Sequence, residues 1–450
     1  MNAGASGNLT FEGSSLRVLE VTPDRNTGID KIYVCYDTNG VDMIYGTTAP
    51  SNIRIYRYSN LGGAFSEEIT DVIRESGRVV IKNAKGDMGY IIEEGDRREY
   101  YWLVNYLPHR LTLNAVTASD EPDCDATILQ VDGNGDAIHY YTINGQQRTL
   151  SRDISVEYDT QEWNEQLKAY ANVNAEKIFE SLTPQLRITP PAYCSTFFRV
   201  SGDRFLEAWN WGQEAESTVE APMAVAVKTE AIQNDTASVP GDDNASTTEG
   251  EEGDTDTPGS NKIKTDEEGL GGSAPADIEF IAYATEGVVH HEWQMSHDPE
   301  FQQIDNRFNQ QNLDFIFNDE GTFYVRYIGS NSDGSCETIS DTYTVKIGAS
   351  ELLCPNVFSP DGDGVNDIWK VSYRSILEFK CWIFDRYGAQ MCYFDDPSQG
   401  WDGKRGDKVV KPGVYYYVIQ ALGADGKKYK LSGDINILRH RTPDRDVQTE

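Results

Sequence analysis

The 450-residue chain is short of positive charge. Lys and Arg number 39 against 73 Asp and Glu, giving a formal net charge of −34. Binding a phosphate backbone needs a surplus of cations, so nucleic acid is excluded as the main partner, and an anionic membrane surface is disfavoured for the same reason. No apolar run approaches the roughly 20 residues of a membrane-spanning helix, and the opening MNAGASGNLT lacks the apolar core of a secretory signal. The acidic, Tyr-rich composition still reads as extracytoplasmic. A mature form is therefore expected, with its signal removed and Met1 added. The seven cysteines show no CxxC and no Cys/His zinc spacing. An odd and sparse set makes no disulfide framework; buried small side chains plus one bridge are expected, Cys381 with Cys392, or Cys354 with a neighbour. Among the six histidines, His290 and His291 are adjacent on an expected strand and so face opposite sides. His291-Glu292 leads to no second His at helical spacing, which excludes the zinc-protease helix. Gly-x-Ser-x-Gly elbows, phosphate loops and dinucleotide fingerprints are absent as well. Nothing in the sequence marks an enzyme.

What is present is Tyr (25 residues) and Gly (39), the composition of half-buried antiparallel sheets with tight turns. After a leader at 1–12, alternating runs such as KIYVCY (31–36), NIRIYRY (52–58) and EYYWLVNYL (99–107) are separated by PDRNTG, DTNG and EEGD turns. This predicts an immunoglobulin-like β-sandwich over 13–113. A second sandwich is expected over 114–232. Within it Trp163, Leu167, Tyr170, Ile178 and Leu182 recur at helical spacing before Pro184, which predicts an inserted helix near 161–182.

Residues 233–274 carry eleven acids against two lysines and almost no large apolar side chain. Such a segment has too little surface to bury and is expected to be an acidic, disordered linker. Thr236, in Asp235-Thr236-Ala237, fits a short bacterial O-glycosylation pattern. A compact β unit follows at 275–349, with Trp293 in the middle of a strand where a sandwich core takes a large aromatic. Its Asp319-Glu320-Gly321-Thr322-Phe323-Tyr324-Val325 resembles the corresponding strand of polycystic-kidney-disease (PKD) modules, which implies an extracellular spacer or adhesion sandwich.

The last module, 350–440, precedes a tail at 441–450. It contains Pro355-Asn356, Phe358-Ser359-Pro360-Asp361-Gly362-Asp363-Gly364-Val365-Asn366-Asp367, Phe384-Asp385-Arg386-Tyr387-Gly388, Trp401-Asp402-Gly403, Pro412-Gly413-Val414-Tyr415-Tyr416 and Gly433-Asp434-Ile435. In order and spacing these resemble the gliding-motility-associated, type B C-terminal domain of proteins exported by the type IX secretion system of Bacteroidota. The resemblance implies recognition by the type IX translocon and display or release outside the outer membrane. It also implies a PorP/SprF-like outer-membrane barrel as a partner. In VYYYVI, Val414, Tyr416 and Val418 alternate with Tyr415, Tyr417 and Ile419, so one face is core and the other exposed. Tyr415 and Tyr417, with Trp401, Asp402 and Gly403, are the expected docking residues. Ser359, Asp361, Asp363 and Asp367 supply half of a calcium loop, but position 12 falls on Lys370 where a bidentate carboxylate is required. Calcium is the one cofactor the residues raise.

The whole reads as an all-β chain of tandem immunoglobulin-like and PKD-like sandwiches with one inserted helix and an acidic linker. The expected role is a secreted surface adhesin or binding protein. The alternatives are a secreted enzyme with its catalytic part in 13–232, and a dedicated component of the secretion or gliding machinery.

Overall fold

The computed structural model describes residues 9–121, 123–234, 262, 269–362 and 364–438. Strands dominate, and the one α-helix among the described residues is the short Arg204–Ala208. The chain divides into two compact units. The first holds residues 1–226 together with 285–288 and 331–336; the second holds 227–284, 289–330 and 337–450.

The first unit starts with a six-stranded sheet in the order Leu19–Val21, Lys31–Cys35, Arg97–Asn105, Met88–Glu94, Ile53–Tyr58 and Glu67–Glu68. A four-stranded sheet of Leu9–Glu12, Asp42–Gly46, Arg78–Ile81 and Ile73–Glu75 accompanies it. Tyr33, Cys35, Tyr101 and Leu103 enter a core with Met43, Tyr45 and Val79 of the smaller sheet. Their strand neighbours Ile32, Val34, Trp102 and Val104 enter a second core, shared with Leu113, Leu129, Tyr140, Phe198 and Trp209. The central strands are thus covered on both faces, so the apolar residues expected to alternate occupy both phases of the strand. One continuous core spans both N-terminal sandwiches.

The second sandwich pairs Thr112–Ala118, Thr127–Asn134 and Gln185–Ile188 in one sheet. Its other sheet orders Ala169–Phe179, Ile154–Asn164, Thr196–Gly202 and Gln213–Val219. The expected helix near 161–182 is therefore a β-hairpin, with continuous antiparallel register from Ile154↔Phe179 to Asn164↔Ala169. Asn164 closes its turn by accepting the N–H groups of Gln166 and Leu167 at 3.1 and 3.0 Å. The residues that mimicked a helical stripe have separate fates: Trp163 and Tyr170 face each other across the hairpin at 5.5 Å, whereas Leu167 and Ile178 are exposed. Pairing of Ser155–Glu157 with Arg199–Ser201 supplies the long-range contacts that override local helical propensity.

The second unit holds two sandwiches. In the first, Val227–Asn234, Ala276–Ala284 and Leu313–Phe317 form one sheet. A second sheet contains Leu270–Gly272, Tyr343–Ile347, Gly321–Ser330 and His290–Ser296. Trp293 is fully buried between them with Phe280, Val325 and Tyr327, as a core aromatic should be. The last sandwich is a five-stranded sheet of Val357–Phe358, Lys428–Ile437, Gly413–Gly423, Ile376–Phe384 and Gln390–Phe394. The smaller pair Glu351–Leu353 and Ser372–Arg374 belongs to the same module.

Two expectations about connections change. The described ends of the segment expected as a linker over 233–274 are strand. Both its flanking strands, Val227–Asn234 and Leu270–Gly272, lie in the second unit, and its acidic stretch and Thr236 lie outside the described residues. The disulfide joins Cys124 to Cys336, with Cα atoms 5.5 Å apart. Cys381, Cys392 and Cys354 are free thiols. Cys381 lies opposite Phe394 and Cys392 opposite Ile383, so the two sulfurs are diagonal rather than facing.

Candidate functional site

The C-terminal sandwich carries the densest set of sequence motifs, and the structure shows what most of them do. Trp401 is 1% exposed and meets Tyr415 edge-on at 5.1 Å and Phe358 at 5.6 Å. Its indole N–H donates to the Lys404 carbonyl at 2.8 Å, and its backbone exchanges two 2.9 Å hydrogen bonds with Trp369. Trp369 in turn lies 5.3 Å from Tyr417 and donates its indole N–H to Pro355 O at 2.7 Å. Tyr417 covers the backbone of Gly433, where a Cβ would sit 2.7 Å from the phenol oxygen. Gly403 is buried at φ +71°, and a Cβ there would lie 2.8 Å from Pro360 Cγ. Asp402 stays exposed; it pairs with Lys404 at 3.0 Å and accepts the Lys404 N–H.

The docking patch expected at Tyr415 and Tyr417 is thus on the wrong face. Tyr415 is 9% exposed and Tyr417 packs against the core. Of the expected residues, Trp401, Tyr415 and Gly403 come together, but as core around Phe358 and Pro360. Alternation puts Val414, Tyr416 and Val418 outside, 45%, 46% and 38% exposed. Register places Trp382 beside Val418, Phe384 beside Tyr416 and Tyr393 beside Trp382. The rings of Trp382 and Tyr393 meet at a tilt, 5.6 Å apart. The outer face of the five-stranded sheet therefore carries an apolar and aromatic strip across Gly413–Gly423, Ile376–Phe384 and Gln390–Phe394, bordered by Ser432, Asp434 and Asn436 of Lys428–Ile437. Strand periodicity located two faces in the sequence. Both carry Tyr with β-branched aliphatic residues, so only the position of the covering layer tells them apart.

In the loop after Ser359, Asp367 is the organising group. Its carboxylate accepts the N–H of Gly362 at 2.7 Å and of Gly364 at 2.8 Å, both glycines at positive φ as such a turn requires. Those two backbone hydrogen bonds hold the Asp367 carboxyl below the ordinary carboxylate range. Ser359 N–H donates to Asn366 O and Asp361 N–H to Ser359 O, while Asp363 lies outside the described residues. Among the described residues no cluster of three or more His, Cys, Asp or Glu gathers as a metal site. The loop's own amides satisfy the Asp367 carboxylate as a cation would. A chelator is accordingly expected to leave the thermal midpoint unchanged; a midpoint that falls with EDTA and returns with calcium would place the ion here. A depressed carboxyl stabilises the fold above its unfolded pKa and loses that contribution as pH falls through its folded pKa. Asp367→Asn should therefore flatten the acid limb of the stability profile below the normal carboxylate range.

The class these modules define is a string of immunoglobulin- and fibronectin-like β-sandwiches. Residues 352–437 match the CHU_C type IX secretion signal domain, and residues 116–217 match the fibronectin type III domain. The chain thus carries a CHU_C type IX secretion signal domain at its last sandwich and a fibronectin type III-like domain in its first unit, each under a quarter of its length. That signal implies export by the type IX secretion system to the cell surface or beyond. No curated protein sequence matches the chain. Among solved structures, it is similar at 10% identity to a tetra-tandem repeat from the extending region of a large adhesion protein (TM-score 0.22; 96% of this chain and 100% of that one). At 11% identity it is similar to fibronectin(III)-like modules of Clostridium thermocellum CbhA (TM-score 0.17; 39% and 93%). Superpositions this loose bear on neither function nor partner.

Proposed function

We propose that this is a non-catalytic, surface-displayed binding protein of the adhesin kind. Its last sandwich presents the Trp382/Tyr393/Val414/Tyr416/Val418 face to the type IX translocon or to a PorP/SprF-like outer-membrane barrel. The observation that carries the reading is the exposed sheet face itself, because contiguous apolar surface of this kind marks an interaction site. Charge supports it: residues 350–438 hold eleven Lys and Arg against twelve Asp and Glu, so nearly all of the net −34 lies elsewhere in the chain. A near-neutral signal module avoids the long-range repulsion that an acidic one would meet at an acidic partner. The upstream modules supply tightly packed scaffolds and broad surfaces, which suit presentation rather than catalysis.

The test is Tyr416→Lys combined with Val418→Lys, followed in cells and in vitro. These positions face solvent, so melting should stay within about 0.5 kcal/mol of wild type, as for ordinary surface changes. Export to the outer surface should fall on the order of tenfold, the effect of losing about 1.4 kcal/mol of docking. Full export of the folded double variant would remove this face from the proposal.

A further inference from the structure

The two stretches of polypeptide on either side of the acidic segment each build part of the other's unit. Val227–Asn234 precedes that segment, yet it is an edge strand of the second unit. It pairs with Ala276–Ala284 in unbroken antiparallel register from Val227↔Ala284 to Asn234↔Asp277. Val227 and Ala231 pack against the core containing Phe280 and Trp293. Thr229 accepts the Tyr343 hydroxyl at 2.9 Å, and Gln233 makes two 2.8 Å hydrogen bonds to the backbone of Gly271. That last pair joins the two described ends of the acidic segment, since Gln233 precedes it and Gly271 follows it.

The reverse contribution is as definite. Residues 285–288 and 331–336 follow the acidic segment but belong to the first unit. Thr285 N–H donates to Ala226 O at 3.0 Å, and the Thr285 hydroxyl accepts the Ala226 N–H at 3.0 Å. Glu286 N–H donates to the Gln161 side chain at 2.9 Å, and Asn331 donates to Met223 O at 3.2 Å. Cys336 closes the set with its disulfide to Cys124.

We infer that Val227–Asn234 is a donor strand seated in a strand-acceptor edge on Ala276–Ala284, and that the peptide link between residues 234 and 269 is not needed to hold the protein together. An extracellular endoprotease cutting there would take up one water per peptide bond, leave a new carboxylate and a new amine, and touch no bond of the disulfide. The result is a two-piece protein, joined covalently through Cys124–Cys336 and non-covalently through the donor strand. The modules before the cut stay attached to the unit bearing the secretion signal: the protein is nicked, not shed. The inference concerns cohesion and stands apart from the docking face proposed above.

The experiment uses the full chain with a unique protease recognition sequence inserted between Thr255 and Asp256. After complete cutting, a denaturing gel should show one species without reductant and two with it. Two species without reductant would overturn the covalent half. Gel filtration of the cut protein, reduced under native conditions, should give the elution volume of the uncut protein. A Cys124→Ser/Cys336→Ser variant, cut in the same way, gives the same reading without reductant. Separate elution of the two pieces in both would overturn the donor-strand half. Ile232→Pro removes a ladder N–H, since the Thr285 N–H bond to Ala226 O fixes the even-numbered residues of the strand as those bonded to Ala276–Ala284, and should let the reduced, cut pieces part, with the uncut variant serving as the folding control; continued co-elution of those pieces would show that the strand is not what holds them.

Discussion

Asp203→Ala is expected to cost the first unit about 3–5 kcal/mol, the range for removing one partner of a buried ion pair. Asp203 and Arg152 are both fully buried, 2.5 Å apart. Tyr106 donates its hydroxyl to the same carboxylate at 3.0 Å, and the Leu206 N–H donates to its other oxygen at 2.9 Å, capping the helix Arg204–Ala208. Arg152 spends its remaining donors on the carbonyls of Asp136 and His109. Burial, then the neighbouring Asp203 charge, pushes the Tyr106 phenol pKa upward, so the hydroxyl remains a donor. The variant therefore strands a guanidinium without its counter-charge, a phenol without its acceptor and a helix without its cap. At about 2–4 °C per kcal/mol for a unit of this size, the melting transition should fall by roughly 10 °C. Calorimetry with Asp203→Ala, Arg152→Met and the double variant measures it. If the pair is the source, the double variant loses less than the sum of the singles. Strict additivity would show that the two side chains act separately.

The second large effect is in the secretion signal domain. Trp401→Ala should destabilise it by about 3–5 kcal/mol, the usual loss for emptying a large aromatic site in a packed core. The cavity would open between Tyr415 and Phe358, and the Lys404 carbonyl would lose its donor. Tyr415→Ala should act in the same direction, because Tyr415 is buried and donates its hydroxyl to Lys411 O at 2.9 Å. Near-UV circular dichroism and export should be lost together in both. Tyr416→Lys is the contrast: one residue along the same strand, export falls while the fold persists. A Trp401→Ala protein that melts like wild type would mean the motif tryptophan does not hold this core.

Much of this organisation was legible before any coordinates. Short alternating runs broken by Gly, Asn and Asp turns announce sandwiches, because strand periodicity and turn chemistry are local properties. Trp293 could be assigned to a core because a long aromatic in mid-strand needs cover on its own face. The C-terminal motifs were legible as a set because tight glycine turns and fixed aromatic positions constrain the backbone directly, as at Gly403. The hairpin Ile154–Phe179 was not, since Trp163, Leu167 and Tyr170 satisfy a helical spacing and a cross-strand pairing equally well. Only the neighbouring strand Thr196–Gly202 decides between them.

The sequence by itself determined the class of fold, the presence of a signal module and the existence of two faces on its tyrosine-rich strand. Each of these follows from neighbours a few residues apart. Tertiary structure alone decided which face is covered, which of seven cysteines meet, and that the strand before the acidic segment completes the unit after it. Those outcomes depend on groups brought together across as many as 212 residues of chain. Such meetings are set by the packing of whole sheets, and local pattern carries no record of them.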